Sequence, residues 1–139
     1  MNLRYPLCVL ALLFLSVAAQ AEDKQMNEEL EYVSGPPEQC IRLQRIDRTE
    51  VLDDYSILFH MKGGDIYLNR LPHRCPGLAF RDSFMYRTSL NQLCNVDIIT
   101  VLDNMGFGFS PGASCGLGLF YPVSKEDVKQ LKERQKSRD

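Results

Sequence analysis

Two histidines and five cysteines are the side chains of this 139-residue chain best suited to chemistry. Their tightest grouping is LPHRCPGLAF, residues 71–80, where His73 precedes Cys75 by two positions and Pro72 and Pro76 bracket the pair. In extended backbone those two side chains share a side, so His73 is placed to serve as base for a Cys75 thiolate. Such a nucleophile needs a depressed thiol pKa and is exposed to oxidative capture outside the cytosol. Zinc is the second candidate, but structural zinc draws on close pairs such as C-x2-C, and no two cysteines here are near neighbours. A disulfide is the third. It alone accounts for every cysteine of the processed chain, as the N-terminus shows.

Arg4 and the apolar run from Leu7 to Val17 read as the charged and hydrophobic regions of an export signal. Ala19-Gln20-Ala21 supplies small residues at the positions a signal peptidase inspects, so cleavage is expected between Ala21 and Glu22. The run is too short for a transmembrane anchor, and Tyr5-Pro6-Leu7 is no approach for lipidation of Cys8. Cleavage removes Cys8 and leaves Cys40, Cys75, Cys94 and Cys115, an even number in a chain bound for an oxidising compartment. Four cysteines allow three pairings. The expected one joins Cys75 to Cys94 and Cys40 to Cys115, clipping the LPHRCPGLAF loop and tying the first strand to the last. Cys75 is thus expected to be a staple.

The remaining candidates carry less. Asp53-Asp54 reads as a turn, and Asp97 and Asp103 flank a strand, so neither pair suggests paired acid–base catalysis. An exposed groove of Tyr55, Tyr67 and Tyr86 is conceivable, although packing is the commoner role of tyrosine. The glycines of MGFGFSPGASCGLGLF (105–120) match neither phosphate-binding signature, so turns and close approaches are expected there. With 16 Lys+Arg against 18 Asp+Glu, the formal net charge of −2 gives no general electrostatic reason to bind nucleic acid or anionic lipid. No cofactor, no metal and no membrane span in the mature chain are expected.

The elements that position these residues are mainly strands. After the signal at 1–21, residues 22–39 read as a polar flexible leader, followed by one domain over 40–136 and a charged tail at 137–139. CIRLQRI (40–46) alternates like a strand, and VLDDYS (51–56) turns at Asp53-Asp54. YSILFHM (55–61) meets IYLNRL (66–71) across Gly63-Gly64, a hairpin signal. A two-residue loop would set Met61 opposite Ile66 and His60 opposite Tyr67. Tyr55, Ile57, Phe59, Met61, Ile66 and Leu68 would then share the core face, with His60 on a wetter, half-polar face. FMYRTSL (84–90) is a further strand, and IITVL (98–102) reads as a strand buried on both faces. Ser124 caps a closing helix, with Asp127 returning the bond, Val123 and Val128 as the staple, and Val128 and Leu131 as its apolar stripe.

The runs SILFHMKGGDIYLNRLPHRCPGL, LCNVDIITVLD and SCGLGLFYPVSKEDV resemble a bacterial domain-of-unknown-function family of small exported proteins. The resemblance covers Cys40 to about Leu131. It matches at Cys40, Asn69-Arg70-Leu71, Cys75-Pro76-Gly77-Leu78, Cys94, Asp97 and Cys115-Gly116-Leu117-Gly118. It implies an exported domain and adds no chemistry. The expected fold is mainly β: a five- or six-stranded antiparallel sheet or partly open barrel with one C-terminal helix, stapled by disulfides. The expected function is an uncharacterised periplasmic or secreted module, non-enzymatic, that binds a protein or envelope component. The alternative is an enzyme or small-ligand binder using the loop around His73 and Cys75.

Overall fold

The computed structural model describes residues 31–137, so the export signal expected at 1–21 lies outside the described residues. Among the described residues, nine strands form three antiparallel sheets. Strands β2 (Ile46–Asp53), β3 (Ser56–Met61), β4 (Ile66–Arg70) and β9 (Phe120–Val123) make a four-stranded sheet in that order. Strands β5 (Phe84–Tyr86), β7 (Ile98–Asn104) and β8 (Phe109–Gly116) make a three-stranded sheet, with β7 central. Strands β1 (Cys40–Arg42) and β6 (Gln92–Cys94) form a ribbon. A short helix α1 (Leu78–Arg81) follows β4, and α2 (Lys125–Lys136) closes the fold. The mainly β class and the C-terminal helix are as expected, but nine short strands in three sheets replace the single sheet or barrel.

All three sheets contribute to one core. Ile41, Ile57, Phe59, Leu93, Ile99, Val101 and Phe120 pack together, with Phe59 and Phe120 edge to face at 5.4 Å between ring centroids. The β3–β4 hairpin differs from expectation by one residue. Gly63 and Gly64 both take positive φ, at 104° and 102°, and Met61 pairs with Asp65 across a three-residue loop. Phe59 therefore faces Tyr67, and His60 faces Ile66. Slipping by one residue moves Ile66 and Leu68 to the opposite face, beside Leu58. That face is buried as well: Leu58, Ile66, Leu68, Val123, Val128 and Leu131 are all buried, yet none belongs to the main core. Both faces of the hairpin are apolar, so alternation could not choose between the two registers.

Helix α2 begins as expected. Ser124 Oγ accepts from Asp127 N, and Asp127 returns the bond to Ser124 N, which completes a capping box. Its far end is tied to β2 by a hydrogen bond from Gln135 to the Leu52 carbonyl. Three other expectations change. Residues 43–45 form a 3-10 turn, so CIRLQRI is not one strand. Strand β7 is buried on one face only: Ile99 and Val101 are enclosed, whereas Ile98 is 56% exposed. The leader is not free throughout, because Ser34 N, Glu38 N and the Glu38 carbonyl bond to β9 at Pro122 and Phe120. Tyr67 adds a 2.8 Å hydrogen bond to Glu38, and burial, then that bond, push its hydroxyl up to about 12.

The turn into β9 depends on Asn69, which is fully buried. Its amide donates to the Gly118 carbonyl at 2.7 Å and accepts from Gly118 N at 2.9 Å, satisfying a polar group that burial would otherwise penalise. The closeness of this approach leaves no room for a side chain. A Cβ on Gly118 would stand 1.9 Å from the Arg70 carbonyl oxygen, whereas one on Gly116 would meet nothing within 4 Å. Gly118→Ala should therefore lower stability by roughly 2–3 kcal/mol, and Gly116→Ala should stay within about 0.5 kcal/mol of wild type. Urea melts compare them; equal midpoints would contradict the close approach.

Candidate functional site

The structure closes two disulfides, Cys40–Cys94 and Cys75–Cys115. The expected pairing of Cys75 with Cys94 and Cys40 with Cys115 is corrected, and strand order is the reason. Strand β1 pairs with β6, which sets Cys40 directly opposite Cys94 with 4.0 Å between their α-carbons. Cys115 lies on β8 opposite Ile99, where the loop after β4 reaches it across the core. Asp54 holds that loop. Its carbonyl accepts from Cys75 N at 2.7 Å, and its carboxylate accepts from Ala79 N at 3.0 Å and pairs with Arg74 at 2.9 Å. The Asp53-Asp54 turn thus also anchors the staple.

Cys75 is completely buried and His73 is exposed, so the loop does not join them into a nucleophile and base. His60 has partners instead. Its Nε2 lies 3.2 Å from Glu50 Oε2, and Lys132 of α2 reaches Glu50 Oε1 at 2.6 Å. Burial holds the imidazole below its ordinary pKa, partly offset by Glu50 and assisted by the charges of Arg48 and Lys132. Burial works against the Glu50 charge, but hydrogen bonds from Lys132 and His60 and their positive charges bring its carboxyl below the usual value. This cluster ties α2 to the sheet. The expected wet surface position of His60 is corrected, since its side chain is only 12% exposed.

The other candidates are dispersed. Tyr55 lies under the Arg70 guanidinium at 4.9 Å, Tyr67 binds Glu38, and Tyr86 sits in the other sheet, so they line no common groove. Asp97 closes a turn by accepting from Cys94 N at 2.6 Å, and Asp103 pairs with Arg81 of α1. Among the described residues, no group of three or more His, Cys, Asp or Glu could hold a metal ion, and no helix is long and apolar enough to cross a membrane.

A surface that sequence reading passed over is the more distinctive feature. Among the described residues, the exposed large hydrophobic side chains are Phe80, Leu90, Val96, Ile98, Met105, Phe107 and Phe109. They fall within one stretch of the chain and avoid the four-stranded sheet and α2. Three of them form the tip of the β7–β8 hairpin, where Met105 is 67%, Phe107 105% and Phe109 69% exposed. Gly106 and Gly108, both at positive φ, turn the chain between them. On the outer face of β5, β7 and β8 lies a shallow groove of about 380 Å³ lined by Met85, Arg87, Ile98, Thr100, Pro111, Gly112 and Ser114. The signal lay in the sequence: residues 104–124 contain no charge, and large apolar residues alternate with glycine.

Comparison with known proteins gives a family and no chemistry. A family of unknown function, DUF6491, matches residues 1–139. The chain belongs to this family. No curated protein matches it, and no solved structure does. The site's chemistry in this DUF6491 member is therefore read from its own residues.

Those residues give the Glu50 cluster a definite pH response. Both Glu50 and His60 are shifted downward by folding, so each stabilises the fold above its unfolded pKa. That contribution is lost as pH falls through the folded values, beginning with His60 below about pH 6.5. His60→Gln should remove the His60 part of the loss, a change of about 1 kcal/mol or less. Thermal melts between pH 7.5 and pH 5 measure it; a wild type that gains stability over that range relative to His60→Gln would contradict the assignment.

Proposed function

We propose that this protein is an exported, non-enzymatic binding module whose contact surface is the outer face of the three-stranded sheet and its hairpin tip. The observation that carries the reading is the segregation of exposed large hydrophobics between Phe80 and Phe109. Clustered apolar exposure such as that of Met105, Phe107 and Phe109 at the hairpin tip marks an interaction surface, because it leaves apolar area in water that a partner would cover. The engagement of all four mature-chain cysteines in disulfides supports export, since such bonds persist in oxidising compartments. The partner is a protein or another component of the cell envelope. Neither His73 nor Cys75 takes part: one is solvated and the other is sealed in the core.

A photo-crosslinking residue at position 98 or 107 should capture a partner in cells, and the same residue at Lys129, exposed on α2, should not. Intact mass of the captured protein should show a chain beginning at Glu22. Equal capture at all three positions would remove the surface assignment, and retention of residues 1–21 would remove the export assignment.

A further inference from the structure

We propose that the β7–β8 hairpin tip partitions into the headgroup–acyl boundary of a neutral phospholipid bilayer, with Met105, Phe107 and Phe109 as the inserting side chains. This rests on the binding-module reading and names its partner.

Three observations select lipid. The Phe107 side chain is fully exposed, so nothing among the described residues preshapes it for a pocket. A fluid acyl layer needs no matching pocket; it needs apolar area and a backbone whose polar groups are already bonded. The tip supplies the apolar area and part of the bonding, and the hydrated headgroups at the boundary are within reach of the remaining backbone groups. Met105 N donates to the Gly108 carbonyl at 3.3 Å, and Gly106 N donates to Asn104 Oδ1 at 3.1 Å. No charged residue lies from 104 to 124, so nothing on the hairpin beyond Asp103 resists entry.

The level just behind the tip suits an interface. Asp103 pairs with Arg81, whose guanidinium stands 5.0 Å from the centroid of the Phe80 ring, and Phe80 is 81% exposed. Phe80 adds apolar area at that level, while the paired Arg81 and Asp103 side chains can stay among the headgroups. Arg81 is balanced by Asp103, and the neighbouring Asp82 is exposed, so this level carries no net positive charge. Attraction to anionic lipid therefore contributes nothing, and partitioning should be insensitive to salt. A second copy adding a strand is a poorer occupant, because Pro111 interrupts the donors along the β8 edge.

The chain contains no tryptophan, so Phe107→Trp introduces a single reporter. With the processed, oxidised protein and phosphatidylcholine vesicles, its emission should shift to the blue and be quenched by lipids brominated on the acyl chain. Co-sedimentation should fall about tenfold or more in Phe107→Ser/Phe109→Ser and stay constant as salt rises from about 0.1 to 0.5 M. These exposed positions leave the core intact, and the tryptophan arm is independent of that variant. Unshifted emission, or binding that requires anionic lipid, would overturn the proposal. So would a dimer in solution that Phe107→Ser dissolves, because the tip would then be a contact between copies. Discrete protein adducts at position 107 without vesicle binding would overturn the lipid assignment and keep the binding module. Absence of both would sink the two together.

Discussion

The buried Cys75–Cys115 bond is the constraint on which the arrangement of sheets depends. It joins the loop leaving β4, in the four-stranded sheet, to β8, in the three-stranded one, and its Cys75 end is wholly enclosed by the core. A domain of this size buries a limited apolar area, so short sheets that share one core gain from a covalent link. Closing a loop across a sequence separation of 40 removes chain entropy worth about 4 kcal/mol in the simplest account. The Cys40–Cys94 bond, with a separation of 54, is of similar worth. Both are large against a total stability of roughly 5–15 kcal/mol.

With the sheets stapled, polar contacts fix the finer geometry of the four-stranded half. Asp54 seats the Cys75 loop, Asn69 grips Gly118 at the entry to β9, and Glu38 receives the Tyr67 hydroxyl along the same edge. Helix α2 covers the second face, joined to β2 through Glu50 and Lys132. The β3–β4 hairpin is thereby enclosed on both faces. Among the described residues no helix lies over the outer face of the three-stranded sheet, and Ile98 and Phe109 are exposed. This asymmetry links the fold to the binding role proposed for the hairpin.

Local chemistry was legible in the sequence; pairing at a distance was not. The capping box at Ser124, the glycine turn at 63–64 and the turn at Asp53-Asp54 follow from short-range rules that hold wherever the segment packs. The disulfide partners depend on β1 lying beside β6, and nothing in either short strand announces the other. The hairpin register failed for a related reason. A cover on each face makes either alternation of SILFHM acceptable, so the three-residue loop decided it. Strand β7 misled because a continuous β-branched run usually means two buried faces; here Ile98 meets solvent instead. The functional candidates divide along the same line. His73 and Cys75 drew attention by type and spacing, whereas Phe107 and Phe109 needed the tertiary fold to show their exposure.

The central claim, that a disulfide across the core holds the two sheets together, is tested most directly by non-reducing peptide mapping of the protein purified without reductant. The predicted result is two linked peptide pairs, Cys40 with Cys94 and Cys75 with Cys115, and no thiol open to alkylation after denaturation. Recovery of Cys75 as an alkylatable thiol, or joined to Cys94 or Cys40, would contradict it.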